Sequence, residues 1–409
     1  MSAGAAGWAD AVGEDPHFFL IAGEMSGDLL GSRLMAALDS ETAGRARYSG
    51  IGGLTMGDAG LKSLFPMAEL SVMGIAEVLP KIPRLARRLR QTMVEIDKSR
   101  PDAVITIDSP GFNFRVAKRL LGQPMARIHY VAPSVWAWRA GRAREVARLF
   151  DRLLALLPFE PPYFEVEGMR CDFVGHPVVE SGAAGGDGSG FRKRHGIDAA
   201  CPLVCVLPGS RHSEAARLLP VFGRTVQDLA RSRPGLRVVV PAAETVADEV
   251  TAAVARWMAP SVVVRGAEEK FDAFAAADVA LAASGTVALE LAMAATPAVI
   301  AYRMNPLSAI VARRLIKVRY ANLVNIILNY EAVPEFLQDR CRPDVLSKAL
   351  DRLLGDADAR ARQVAAGRDV LGRLGLGGTP PSTLAARAVM ETLSRPPRKI
   401  NGGTDERRI

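Results

Sequence analysis

At 409 residues, 49% of them hydrophobic, the chain exceeds what one hydrophobic core usually organises and has the apolar content for two. Its formal net charge of +8 favours an anionic partner, whether nucleic acid, a phosphorylated substrate or an acidic lipid headgroup. Four scattered cysteines, Cys171, Cys201, Cys205 and Cys341, form no CxxC pair; this argues against a disulfide scaffold or zinc site and for buried thiols in a reducing cytoplasm.

Residues 1–15 carry Asp10, Glu14 and Asp15 but no basic or apolar leader pattern, so a disordered lead-in is expected there. No stretch approaches the roughly 20 continuous apolar residues that span a bilayer, so membrane contact is expected to be peripheral. From His17 onward, short β-branched apolar runs alternate with helical periodicity, the pattern of a parallel sheet covered on both faces. Strands are predicted at 17–22, 103–107, 128–131 and 152–156, with helices at 28–38, 82–98 and 114–121. Ser181–Gly190, rich in glycine, reads as a flexible linker. Beyond it strands recur at 203–207, 236–240, 262–264, 279–281 and 298–300, so a second doubly wound α/β domain is expected, with a cleft between the two. The tail from Pro396 is polar and expected to be disordered.

Five segments carry chemistry. Ala22-Gly-Glu-Met-Ser-Gly-Asp28 sits where the first strand turns into a helix; its glycines allow close approach of a ligand, and Glu24 is a carboxylate at a strand end. An ordinary glycine turn capped by Ser26 or Asp28 would read the same way. Ile105-Thr-Ile-Asp-Ser-Pro-Gly-Phe-Asn113 again ends a strand in a carboxylate, Asp108, suited to general-base work on a sugar hydroxyl, although Asp-Ser-Pro is also turn chemistry. His129 to Arg139 gathers two tryptophans, Trp136 and Trp138, with His129, Ser134 and Arg139: aromatic faces for a sugar and polar groups for its hydroxyls, or a packed aromatic core under a loop.

Leu207-Pro-Gly-Ser-Arg-His-Ser-Glu214 opens a helix after the first strand of the second half, and Ser210 and Arg211 suit a phosphate without the ending of a P-loop. Ser284-Gly285-Thr286 repeats this chemistry, with Glu290 one turn further in as an acceptor for ribose hydroxyls. The one Asp-X-Asp match, Asp356-Ala-Asp358, follows Gly355 and reads as a helix cap, so no metal and no cofactor are expected. No RNA-recognition signature appears, and nucleic acid is not expected as a partner.

Together these segments, with Ser71-Val-Met-Gly-Ile-Ala-Glu77 and Ala301-Tyr-Arg-Met304, resemble the lipid-A-disaccharide synthases, inverting glycosyltransferases of the GT-B fold, from about His17 to Cys341. The resemblance implies two Rossmann-like domains, an acceptor-side domain over residues 16–180 and a UDP-sugar-binding domain over 191–375, and a C-terminal helix within 376–395 that crosses back to the first, with 1–15 and 396–409 as disordered ends. It implies transfer of 2,3-diacylglucosamine from its UDP form to 2,3-diacylglucosamine 1-phosphate (lipid X), at the inner face of the bacterial inner membrane. Asp108 and Glu24 are then the catalytic carboxylates. Ser26, His129, Ser134, Trp136, Trp138 and Arg139 fall on the acceptor side, and Asn325, Glu335 and Gln338 join the donor residues. Two positions depart from the family pattern: Gly111 stands where Asp is frequent, and Gly53-Leu-Thr-Met56 replaces a Gly-Pro-basic-Met turn. A UDP-sugar 2-epimerase or the peptidoglycan-precursor transferase is the same-fold alternative. Val72, Met73 and Ile75, followed by Arg84, Arg87 and Arg88, join an apolar patch to a basic run and predict a dock for anionic lipid, unless they form a buried helix with a solvated charged face.

Overall fold

The structure, a computed structural model, describes residues 15–70, 82–137, 141–305 and 318–394. They gather into two compact units: one runs to Pro177 and resumes at Gly378, the other is Val178–Gly377.

The first unit holds β1 (His17–Ala22), β2 (Arg47–Ile51), β3 (Ala103–Ile107), β4 (Ala126–Tyr130), β5 (Arg152–Ala155) and β6 (Arg170–Phe173), all parallel, in the order β2-β1-β3-β4-β5-β6. All six residues of β1 are buried, because alternate side chains enter two different cores. Phe18, Leu20 and Ala22 meet the helices Met25–Glu41 and Pro381–Leu393, while Phe19 and Ile21 pack with Leu89, Ile96 and Val116 on the other face. The strand β4 begins two residues before the predicted one, since Arg127 interrupts the apolar run. That guanidinium is nonetheless buried, bonded to both oxygens of Asp151. Arg152 opens β5 similarly: it pairs with Asp172 and donates to the carbonyl of Ala388, tying the last helix to this sheet.

The second unit holds β7 (Leu203–Leu207), β8 (Arg237–Pro241), β9 (Ser261–Val264), β10 (Val279–Ala283), β11 (Ala298–Tyr302) and β12 (Glu335–Leu337), parallel in the order β12-β11-β10-β7-β8-β9. Helices His212–Ser232 and Pro343–Gly355 share one core with Val204, Val206 and Leu281. Asp356 caps the helix Ala357–Arg373 through Ala359 N at 2.8 Å, as the helix-cap reading required.

Ser181–Gly190 is not a free linker. Ala183 is fully buried and Asp187 caps the helix Gly188–Arg194. A Cβ at Gly186 or Gly188 would strike the carbonyls of Phe271 or Ala275 in the helix Ala267–Ala276. These glycines serve close packing of backbone on backbone, which composition alone reads as flexibility. The ends expected to be disordered lie outside the described residues, apart from Asp15.

Candidate functional site

In the first unit the chain leaves β1 for β2 on one side and returns to β3 on the other, so the carboxyl ends of β1 and β3 flank the topological switch point, where open α/β sheets bind ligands. Glu24 follows β1 and Asp108 follows β3. The two turns touch at Gly23, where a Cβ would run into Ser109 Oγ. Asp108 and Ser109 both adopt left-handed backbone, at φ 48° and 43°, a conformation costing about 1–3 kcal/mol per residue. Asn113 holds it in place, donating Nδ2 to the carbonyls of Ile107 (3.1 Å) and Asp108 (2.7 Å), while Asp108 N donates to Tyr130 O at 2.9 Å. The Asp108 carboxyl sits half-buried at this turn.

Glu24 is the N-cap of the helix Met25–Glu41 by backbone only, and neither Ser26 nor Asp28 caps that helix. Asp28 instead accepts from Gly53 N, Thr55 N, Thr55 Oγ1 and Met56 N at 2.7–3.1 Å, so the Gly53–Met56 turn is organised by a buried carboxylate. Glu24 is half-buried and Ser26 exposed beside it. A Cβ at Gly111 would meet nothing within 4 Å, so the position has room for a side chain to begin.

The loop after β4 divides the residues grouped from sequence. His129 is a core residue: 1% exposed, bonded through Nδ1 to Thr106 Oγ1 at 2.7 Å, stacked on Phe150 and edge-on to Phe114. Burial pushes its pKa down to about 3, so it is neutral and closed to a sugar, correcting its assignment to the acceptor side. Ser134 is exposed, and Trp136 is half-buried edge-on to Phe159 with Nε1 3.1 Å from Glu160 Oε1. Trp138 and Arg139 lie outside the described residues. Glu160 went unnoticed in the sequence. The residue is 3% exposed, and its carboxylate accepts from Leu156 N, Leu157 N and Trp136 Nε1. Burial pushes its pKa up to about 7 against the pull of those three bonds. The signal that could have found it is the one that marked Asp108: an acid just past a buried strand.

In the second unit the switch point falls between β7 and β10, whose last paired residues are Leu207 and Ala282. The two predicted phosphate loops follow these strands. Gly209, at φ 105°, turns the chain over Glu214, and Arg211 is half-exposed as the N-cap of the helix His212–Ser232, with Nη1 3.3 Å from Glu214 Oε1. Ser210, Gly285 and Thr286 are exposed, while Ser284 Oγ donates to Ala321 O at 3.1 Å. Glu290 is held by Lys270 Nζ at 3.0 and 3.1 Å to its two oxygens, so a ribose would have to share it with that cation.

Asn325 and Glu335 are internal supports. Glu335 accepts from Ala321 N, Asn322 N and Asn325 Nδ2, and Asn325 also bonds Ala332 N, Val333 N and Val333 O. Both are buried and brace the segment that carries Ala321. Gln338, in left-handed backbone at φ 51°, accepts from Met304 N at 3.4 Å.

Of the proposed lipid dock, Val72, Met73 and Ile75 lie outside the described residues. Arg84 and Arg87 are exposed on the helix Ile82–Ser99. Arg88 is turned inward, bidentate to Glu69 at 2.6 and 2.9 Å and 4.6 Å over the Phe65 ring, so it braces the helix and is not a free cation. Its hydrogen bond holds the Glu69 carboxyl below its ordinary value. Among the described residues no helix is long and apolar enough to cross a membrane, and no three metal-ligating side chains converge.

A family model described as lipid-A-disaccharide synthetase matches residues 18–379. The chain belongs to the lipid-A-disaccharide synthase family. It is 55% identical to the lipid-A-disaccharide synthase of Paramagnetospirillum magneticum over 388 residues, covering 94% of this chain and 99% of that one. It is also 55% identical to that of Rhodospirillum centenum, covering 92% and 94%. Membership makes it a glycosyltransferase of lipid A biosynthesis. Solved structures share the fold at low identity: the UDP-GlcNAc 2-epimerase of Neisseria meningitidis bound to UDP-GlcNAc (TM-score 0.63, 11% identical, 92% and 99% covered) and the MurG of Acinetobacter baumannii (TM-score 0.54, 14% identical, 92% and 99% covered). Two doubly wound domains were expected from the alternating pattern and the GT-B fold from the family resemblance; both stand, and the family match separates the chain from the same-fold alternatives.

Proposed function

We propose that the enzyme transfers 2,3-diacylglucosamine from its UDP form to the 6-hydroxyl of lipid X, with inversion, giving the β-1,6-linked disaccharide 1-phosphate and UDP. Asp108 carries this reading: a carboxylate at the switch point of the first unit, held in strained backbone by Asn113 and Tyr130. In the reaction the acceptor oxygen bonds to the anomeric carbon, the bond from that carbon to the diphosphate breaks, the diphosphate keeps the electron pair, and Asp108 takes the hydroxyl proton. Glu24, across the Gly23–Ser109 contact, is the second carboxylate available for that role.

Arg211, the first amides of the helix His212–Ser232 and the Ser284-Gly285-Thr286 loop are assigned to the leaving diphosphate, supplying positive charge without a metal. Glu290 is assigned to the ribose. Ser26, Ser134, Trp136, Trp138 and Arg139 are assigned to the acceptor. The acyl chains of both substrates favour work at an anionic membrane surface, with Val72, Met73 and Ile75 as the apolar dock and Arg84 and Arg87 as its charge.

Incubating the purified chain with UDP-2,3-diacylglucosamine and lipid X tests the reaction. The expected products are UDP and a disaccharide with β configuration at the new linkage. Release of UDP without disaccharide, or an α linkage, contradicts the reading.

A further inference from the structure

Glu160 follows the carboxyl end of β5, the same end of the parallel sheet that Asp108 follows in β3, yet nothing in the reaction above uses it. A buried acid is costly unless its bonds hold something in place. Here one oxygen takes the Trp136 indole at 3.1 Å and the other takes the amides of Leu156 and Leu157 at 3.2 and 3.0 Å. These three bonds clamp the loop after β4 to the start of the loop after β5. The strand β4 lies between β3 and β5, so its loop is neighbour to the Asp108 turn, and Asp108 N bonds to Tyr130 O at the root of that loop. Phe159 completes the clamp by meeting the Trp136 ring edge-on at 5.2 Å.

We propose that Glu160 is a positioning residue for acceptor recognition, fixing the Ser134–Trp136 loop through the indole N–H so that it presents one shape to the acceptor sugar. The proposal rests on the reading that this loop borders the acceptor. Glu160 touches no substrate; it acts through Trp136.

Glu160→Gln isolates the clamp. Glutamine keeps one oxygen for the Leu156 and Leu157 amides and turns its NH2 toward the indole N–H, donor against donor. The expected result is a rise of about tenfold in KM for lipid X, the size of one lost hydrogen bond to a charged group, with kcat and the KM for UDP-diacylglucosamine within about twofold of the parent. In a Trp136→Phe background the same substitution should add nothing, because the pair it breaks is already gone. Amide hydrogen exchange should quicken in residues 132–137 of Glu160→Gln and leave β3 and β4 as protected as before. The proposal is overturned if both KM values rise together, if the two substitutions act additively, or if loop exchange is unchanged. Should Glu160→Gln fold poorly, Trp136→Phe alone must show the faster loop exchange and the raised lipid X KM, and parent-like values overturn the proposal as well. A parent enzyme that makes no disaccharide would instead remove the functional reading, and the exchange comparison would still decide whether Glu160 holds the loop.

Discussion

Gly23 lies so close to Ser109 that a methyl group at position 23 would occupy the place of the serine hydroxyl. Through this one contact the turn after β1, with Glu24, and the turn after β3, with Asp108, set each other's position. Serine has little room to yield, because its own φ of 43° is already strained and the next residue is a proline.

Gly23→Ala should therefore cost activity more than stability. The expected outcome is a fall in kcat of about tenfold or more, since small misplacement of a reacting group is expensive, with a melting temperature a few degrees lower and UDP affinity unchanged. Steady-state kinetics beside thermal unfolding checks this, and parent-like turnover would mean that the two turns are not coupled in function.

The donor assignment concerns the second unit alone. Arg211→Ala should weaken UDP binding by roughly tenfold, the loss of a charge-assisted contact of about 1.5 kcal/mol. Glu290→Ala should weaken it less, because Lys270 already holds that carboxylate. Titration calorimetry with UDP gives both numbers; two variants that bind like the parent place the nucleotide elsewhere.

Two buried histidines set an acid limit to stability. Burial lowers His129 to about 3 and His176 to about 4, whereas in the unfolded chain both titrate near 6.5. The unfolded state therefore takes up protons that the folded state refuses, so their contribution is full above pH 6.5 and is lost as pH falls toward those lower values. Between pH 7 and 5 each histidine should remove roughly 2 kcal/mol. Glu160, raised to about 7, works in the opposite sense, its contribution present below its unfolded value and lost as pH rises through 7. Comparing the parent with His129→Phe separates the terms: urea unfolding should show a pH 7 to 5 loss smaller by roughly 2 kcal/mol in the variant. Equal losses would mean that His129 ionises within the fold.

Much of the architecture was legible because buried parallel strands such as β1 and β7 are unbroken apolar runs. The strands β2, β6 and β12 were not, being edge strands whose apolar run is broken by polar residues, Arg47 and Ser49 in β2 and Arg170 and Asp172 in β6, or only three residues long. Asp108 stood out because no charged residue precedes it in β3. His129 was misassigned because a polar residue near a loop looks available, and only the strand register shows it turned into the core against Phe114 and Phe150. Asn325 and Glu335 were named by family likeness, and their mutual bond across ten positions is invisible to local pattern. Glu160 escaped because its partners are backbone amides and an indole 24 residues earlier.

The account turns on Asp108 as the base, and the most direct test is single-turnover transfer from UDP-diacylglucosamine to lipid X by Asp108→Asn, with UDP affinity measured on the same preparation. Asparagine keeps the size of the side chain and cannot take the acceptor proton. The predicted result is transfer slower by roughly 100-fold or more, with UDP affinity unchanged. Transfer within a few-fold of the parent, in a variant that folds and binds UDP normally, would contradict the account and pass the role to Glu24.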